Sequence, residues 1–224
     1  MVALVFPALP TVTLPVTGRA ERFPVRRIFC VGRNYAEHAR EMGADTREPP
    51  FFFTKPADAV VESGSRIPYP PATTNLHHEG ELVLAIGKGG AMVPEAEAPA
   101  LIWGHAAGND LTRRDLQAEA KERRRPWDMA KGFDKSAVVG AIRPGAMPDA
   151  ALRCTVNGSP RQEARLSEMI WSPAAIIAAL SQLVSLSPGD LIFTGTPAGV
   201  GPLSRGDTCK VEIDGLQSAT VSIT

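Results

Sequence analysis

The chain has 224 residues, 44% of them hydrophobic and 21% charged, with 24 basic and 24 acidic side chains and a formal net charge of zero. Those proportions suit one large folded unit with a substantial core and exclude a disordered or fibrous chain. Charge balance argues against nucleic-acid binding, which normally leaves a basic surplus, and no run approaches the 18 apolar residues of a membrane span.

Residues 1–24 read as an extended N-terminal arm, with Val12, Leu14 and Val16 alternating with other residue types. Residues 25–224 read as the main domain. Arg26–Val31 reads as a strand closed by Gly32. Arg33-Asn34-Tyr35-Ala36-Glu37-His38-Ala39-Arg40-Glu41-Met42 then reads as a helical stretch, with Asn34 as its cap and Gly43 just past its end. His38 and Glu41, three apart, share a face of that helix. A carboxylate beside an imidazole orients it as a general base, and the same spacing also describes a surface pair. Phe51-Phe52-Phe53-Thr54-Lys55-Pro56 reads as a buried strand ending in a cation.

The chain is organised around His77-His78-Glu79-Gly80-Glu81-Leu82, running on to Ile86. With the strand period of two, Leu82, Leu84 and Ile86 face one way and His77, Glu79 and Glu81 the other. Two carboxylates about 7 Å apart on one face repel each other unless a cation lies between them. A hard divalent cation with oxygen ligands is one reading, and an edge strand with solubilising charges is the other.

Pro94–Leu101 favours a short helix. Leu101–Gly108 reads as a second core strand that delivers Asn109-Asp110, so Asp110 supplies a third carboxylate or helps to cap the next helix. Thr112 with Asp115 approximates a capping box for a helix running toward Arg124. Lys121–Arg125 reads as a solvated helix end. Pro126–Asp134 reads as a loop in which Lys131, between small residues, either enters a pocket or lies in solvent.

Asn157-Gly158 is the strongest hairpin signal, joining strands over 152–156 and 161–166. Ser172-Pro173 opens a helix as cap and first-turn proline, with Ile176, Ile177, Leu180, Leu183 and Val184 as its apolar stripe. Leu191–Thr194 reads as a buried strand feeding Gly195-Thr196-Pro197-Ala198-Gly199-Val200-Gly201. That turn lacks the Gly-Lys-Ser/Thr of a nucleotide loop, although its amides could cradle a carboxylate. Two strands flank Asp214-Gly215 at the end. Cys30, Cys154 and Cys209 have no paired spacing and read as reduced thiols of a cytoplasmic protein.

Six pieces together resemble the fumarylacetoacetate hydrolase superfamily: Gly32-Arg33-Asn34-Tyr35 with His38 and Glu41; Lys55-Pro56; His77–Leu82; Gly108–Thr112 with Arg114, Asp115 and Gln117; Lys131-Gly132-Phe133-Asp134; and Pro188–Asp190 through Gly201. The resemblance spans about residues 28–223. It implies an α+β fold, a mixed β-roll with a few short helices, assembled as a homodimer. It implies that Glu79, Glu81 and Asp110 bind Mg²⁺ or Mn²⁺, with Ca²⁺ a third possibility.

His38 and Glu41 match a lid dyad that orders over the substrate and activates water. Lys131 matches a lysine facing the metal, and Arg114, Gln117 and Thr196 match contacts to substrate oxygens. Arg33, Arg114 and Lys135 are candidates to meet a distal substrate carboxylate. The implied activity is hydrolysis of the C3–C4 bond of a small 2,4-diketo acid, with charge developing on a pyruvate enolate. The run Arg125–Ser136 is most similar to members that cleave fumarylpyruvate to fumarate and pyruvate. Acylpyruvases, oxaloacetate decarboxylases and homoprotocatechuate-pathway isomerase/decarboxylases are the alternatives.

Overall fold

The structure, a computed structural model, describes residues 4–41 and 49–224, and the side chains of all of these except 39–41. The Gly43 cap and the later part of the expected lid therefore lie outside the described residues.

An eight-stranded mixed sheet forms the centre. Its order is Phe51–Lys55, Arg27–Gly32, Asp190–Phe193, Gly80–Ile86, Ile102–Asp110, Ala137–Val139 and Val60–Glu62, with Arg143–Pro144 also paired to Ile102–Asp110. A second sheet runs Ser159–Arg165, Ala151–Val156, Thr208–Ile213, Ala219–Ile223 and Ser65–Ile67. Leu82, Leu84, Ile86 and Ile192 pack against Leu152, Val211 and Val221 of that sheet and against Ile176, Ile177 and Leu180 of the Pro173–Leu183 helix. The opposite face of the central sheet carries Val83, Ala85, Leu191 and Phe193, which pack with Leu14, Val16 and Phe23. Gly80–Ile86 is consequently buried along its whole length. It is a central strand with apolar side chains on both faces, and the edge-strand reading fails.

The apolar period of two is right from Gly80 onward, but the strand is not continuous from His77. Leu76–His78 belongs to a separate three-stranded sheet with Thr112–Arg113 and Gly201–Leu203. Glu79 sits in the break between the two strands. Its carbonyl accepts from Asp110 N at 2.9 Å, and its N–H donates to Asn109 Oδ1 at 2.9 Å. The bend therefore keeps its backbone groups paired while changing the direction of the chain.

Several helix ends differ from expectation. Asn34 does not cap a helix: its amide donates to Trp171 O and Thr194 O, and its oxygen accepts from Trp171 N at 2.7 Å. The following helix is Ala36–Glu41. The Thr112/Asp115 capping box is absent, because Thr112 Oγ1 donates to Asp110 O and Asp115 is held by Thr73 and Thr74. That helix runs Arg114–Glu122, short of Arg124. Pro94–Leu101 yields only a 3₁₀ turn at Ala98–Leu101, and the expected 126–134 loop contains a helical turn at Asp128–Lys131.

Other local signals hold. Asn157 and Gly158 take φ of 52° and 79°, the left-handed pair a two-residue hairpin turn requires. Ser172 Oγ accepts from Ala175 N, capping the Pro173–Leu183 helix. The arm contributes a hairpin of Thr13–Pro15 and Arg22–Pro24, whereas Leu4, Val5, Phe6 and Leu9 are exposed.

Candidate active site

Glu79, Glu81 and Asp110 converge: one carboxylate oxygen from each lies within 4.8 Å of the others, and all three side chains are buried. The convergence follows from sheet register. Glu81 pairs with Gly108, Gly80 with Asn109, and Asp110 extends one residue beyond the pair. Gly108 has to be glycine here, since a Cβ would stand 2.5 Å from Val83 Cγ2 and 2.8 Å from a Phe193 ring carbon.

Cations surround the acids. Lys131 Nζ donates to Glu79 Oε2 at 2.7 Å and to Asp110 Oδ2 at 2.8 Å. Arg114 pairs with Glu79 and also donates to Gln117 Oε1 at 2.6 Å. Lys55, fully buried, lies 2.7 Å from Asp110 Oδ1 and donates to the carbonyls of Leu111 and Lys131. Burial disfavours charge on all these groups, and local partners decide which keep it. Glu79 is held below the usual carboxylate range because Lys131 and Arg114 outweigh its burial. Lys131 is raised, since Asp110 and Glu79 overcome its burial. Glu81 goes the other way: burial, then the charges of Asp110 and Glu79, push it well above its ordinary value.

Three converging carboxylates are the donor set of a hard divalent cation. Two observations fit that ligand. Asp110 Oδ1 is buried without a hydrogen bond of good geometry, despite its nearness to Lys55. Like-charge repulsion at Glu81 is the imbalance a divalent cation removes. Glu81 is also oriented by an amide of the glycine-rich turn, as Gly195 N donates to its Oε2 at 2.7 Å. Gly195 takes φ of 96°, and a Cβ there would come 2.6 Å from Asn34 Cβ.

The acids open into a cleft lined also by Arg33, His38, Phe53, Gln117, Lys121, Trp127 and Thr196. Thus nine of the eleven sequence-designated site residues have described side chains at one place: His38, Lys131, Arg33, Arg114, Gln117, Thr196, Glu79, Glu81 and Asp110. Glu41 ends the His38 helix, and its side chain lies outside the described residues. Lys135 is exposed and does not line the cleft.

One lysine departs from expectation. Lys121 is not on a solvated end: it lines the cleft, lies 5.3 Å from the Trp127 ring centre and, through burial and the nearby Arg114, has its pKa lowered to about 8. Lys55 ends the Phe51–Lys55 strand as expected, and the fold brings its Nζ to 2.7 Å from Asp110 Oδ1. Its Lys-Pro setting was the only signal, and that signal carries no direction.

A second group of ligating types, His78, Cys154 and Cys209, lies buried between the two sheets. The sulfurs are 3.5 Å apart, and His78 Nδ1 is 3.6 Å from Cys154 Sγ. Gln162 Oε1, an acceptor, also faces that nitrogen at 3.2 Å, so Nδ1 carries the proton and has no lone pair for a metal.

A bent mixed sheet with three acids, a buried lysine and a histidine in one cleft defines a class, and sequence comparison gives it a family. The profile of the fumarylacetoacetate (FAA) hydrolase C-terminal family matches residues 27–224, and the chain belongs to that family. The crystal structure of fumarylpyruvate hydrolase from Pseudomonas aeruginosa, in complex with Mn²⁺ and pyruvate, is 48% identical; the match covers 99% of each chain with a TM-score of 0.96. The fumarylpyruvate hydrolase of Ralstonia sp is 45% identical over 179 residues, 79% of this chain and 93% of that protein. The human mitochondrial oxaloacetate tautomerase is 44% identical over 202 residues, 88% of this chain and 91% of that protein.

Proposed function

We propose that the chain is a metal-dependent hydrolase that cleaves fumarylpyruvate to fumarate and pyruvate. The observation that carries this reading is the convergence of Glu79, Glu81 and Asp110 under Lys131, in a cleft shared with His38. The fumarylpyruvate hydrolases of Pseudomonas and Ralstonia, the former holding Mn²⁺ and pyruvate, support it.

Glu79, Glu81 and Asp110 would hold Mn²⁺ or Mg²⁺. When bound, the cation supplies a Lewis acid for the keto-acid end of the substrate and neutralises developing negative charge. Lys131 adds a fixed positive charge beside the reacting carbons, and its position is set before substrate arrives. His38 takes the proton of the attacking water as that water adds to the C4 carbonyl, with Glu41 orienting the imidazole. The C3–C4 bond then breaks and its electron pair moves into the pyruvate fragment. Three carboxylates face Lys55, Lys131 and Arg114, and a divalent cation then adds two positive charges. Arg114 is engaged by Glu79 and Gln117, so Arg33 and Lys121 are the cations of the cleft that meet the distal carboxylate.

Decarboxylation or tautomerisation of oxaloacetate is the second reading, favoured by the likeness to the human tautomerase. It needs the same acids and Lys131 but no activated water. Purified protein with Mn²⁺ and fumarylpyruvate, followed by loss of the enol absorbance and identification of fumarate and pyruvate, tests the first reading. Greater kcat/KM for oxaloacetate would favour the second.

A cytoplasmic homodimer, with residues 1–24 as an arm on a 25–224 catalytic domain, completes the proposal. The exposed apolar run Leu4–Leu9 and the three buried free thiols support it. Sedimentation of the full chain and of a chain lacking residues 1–10 tests the assembly.

A further inference from the structure

Gln162, on the Ser159–Arg165 strand, is 2% exposed and spends its whole hydrogen-bonding capacity on groups behind the cleft. Its Oε1 accepts from Gly80 N at 2.9 Å and from His78 Nδ1 at 3.2 Å. Its Nε2 donates to Thr196 Oγ1 at 2.7 Å and to Pro197 O at 2.8 Å. The amide cannot be flipped, because the Gly80 N–H can only donate and the Pro197 carbonyl can only accept.

That fixed orientation decides the state of Thr196. Its hydroxyl accepts from Gln162. It also lies 2.9 Å from Gly80 O, which has no proton to give, so the Thr196 hydroxyl proton goes there. One lone pair is all that the hydroxyl retains for a ligand, and Thr196 lines the cleft beside Glu79, Glu81, Arg114 and Lys131. Arg114 and Lys131 can only donate. Thr196 is the neutral acceptor among them.

We infer that Gln162 is a positioning residue that presets Thr196 as a hydrogen-bond acceptor, so that the ligand atom opposite Thr196 must carry a proton. The matching group is the C2 enol hydroxyl of a 2,4-diketo acid, which gives up that proton and gains one at C3 to become the C2 ketone before water adds at C4; a carbonyl or carboxylate oxygen is the wrong partner. This inference rests on the diketo-acid reading of the cleft and adds to it the tautomer that is taken up. Gln162 and Thr196 also grip both sides of Gly80, so one amide links the second sheet to the peptide between Glu79 and Glu81.

Two measurements test it. Neutron diffraction from the Mn²⁺-loaded protein in D₂O locates the Thr196 deuteron. A deuteron directed at Gly80 O supports the inference, and one directed into the cleft overturns it. The second compares kcat/KM, at saturating Mn²⁺, for fumarylpyruvate supplied freshly as enol or as ketone. Wild type should prefer the enol roughly tenfold, the scale of one hydrogen bond. Gln162→Met, Thr196→Val and the double variant should each lose that preference, with the double no worse than the poorer single, while Thr196→Ser retains it. Additive losses, or an enol preference that survives in Thr196→Val, would reject Gln162 as acting through Thr196. A wild type inert toward fumarylpyruvate defeats the proposed function instead, and the deuteron position still decides this inference.

Discussion

Lys131 and Asp110 form a buried ion pair of 2.8 Å, and the same ammonium reaches Glu79 at 2.7 Å. Neither Lys131 nor Asp110 is more than 2% exposed. Removing one partner of a buried charge pair leaves the other uncompensated, at a cost of about 3–5 kcal/mol. Lys131→Met should therefore destabilise the metal-free protein strongly and abolish turnover. Mn²⁺ should rescue much of the stability and none of the rate. Thermal unfolding with and without Mn²⁺, alongside the fumarylpyruvate assay, checks this. A variant with wild-type turnover would remove Lys131 from the chemistry.

Glu81 is the acid that the fold charges least willingly, since burial and the neighbouring Asp110 and Glu79 raise its pKa. A group whose folded pKa is raised holds its proton in the native state at pH values where the unfolded chain has lost it, so it costs stability as pH rises through that window. Metal binding must displace the proton. Mn²⁺ uptake should thus release protons, and its affinity should rise with pH. Glu81→Gln should abolish the release, weaken Mn²⁺ binding by tenfold or more, and leave the metal-free protein as stable as wild type or more so. Calorimetry in buffers of different ionisation enthalpy reads the proton directly. Unchanged release in Glu81→Gln would assign it to another group.

His38 lines the cleft without belonging to the acid cluster. His38→Ala should lower hydrolysis by about 10² or more, the scale of a lost general base, and leave Mn²⁺ affinity close to wild type. Glu41→Gln should lower fumarylpyruvate hydrolysis far more than oxaloacetate decarboxylation, because only hydrolysis deprotonates water. Equal losses for the two substrates would favour the decarboxylase.

Lys121, lowered to about 8, titrates within the working range. Between about 8 and the ordinary lysine value of about 10.4, the unfolded chain binds more protons at this site than the native one. The Lys121 contribution to stability therefore rises with pH across that window. Substrate binding follows the opposite course, because the charge that meets the distal carboxylate is lost above about 8. KM for fumarylpyruvate should increase above that pH in wild type and be high and flat in Lys121→Met. A wild-type KM that stays constant to pH 9.5 would show that Lys121 does not meet the substrate.

The sequence by itself determined the residue types of the site and much of the local structure. The Asn157-Gly158 turn, the Ser172-Pro173 helix start and the alternation from Leu82 to Ile86 are short-range, because φ preference, capping and side-chain period act over a few residues. The six ordered motifs likewise named the acids, His38, Lys131 and Thr196. Tertiary structure decided what those residues face. Capping by Asn34 lost to longer-range partners, Trp171 and Thr194, and Asp115 was drawn away from Thr112 to Thr73 and Thr74 about forty residues earlier in the chain. Lys55 and Lys121 acquired roles only once strand register and helix packing brought them to the acids. Gln162 looked like one polar residue in a hairpin, and its link to Gly80 and Thr196 spans 82 and 34 residues of chain. Hydrogen bonds of that separation exist only after two sheets have packed, so no local pattern could have announced them.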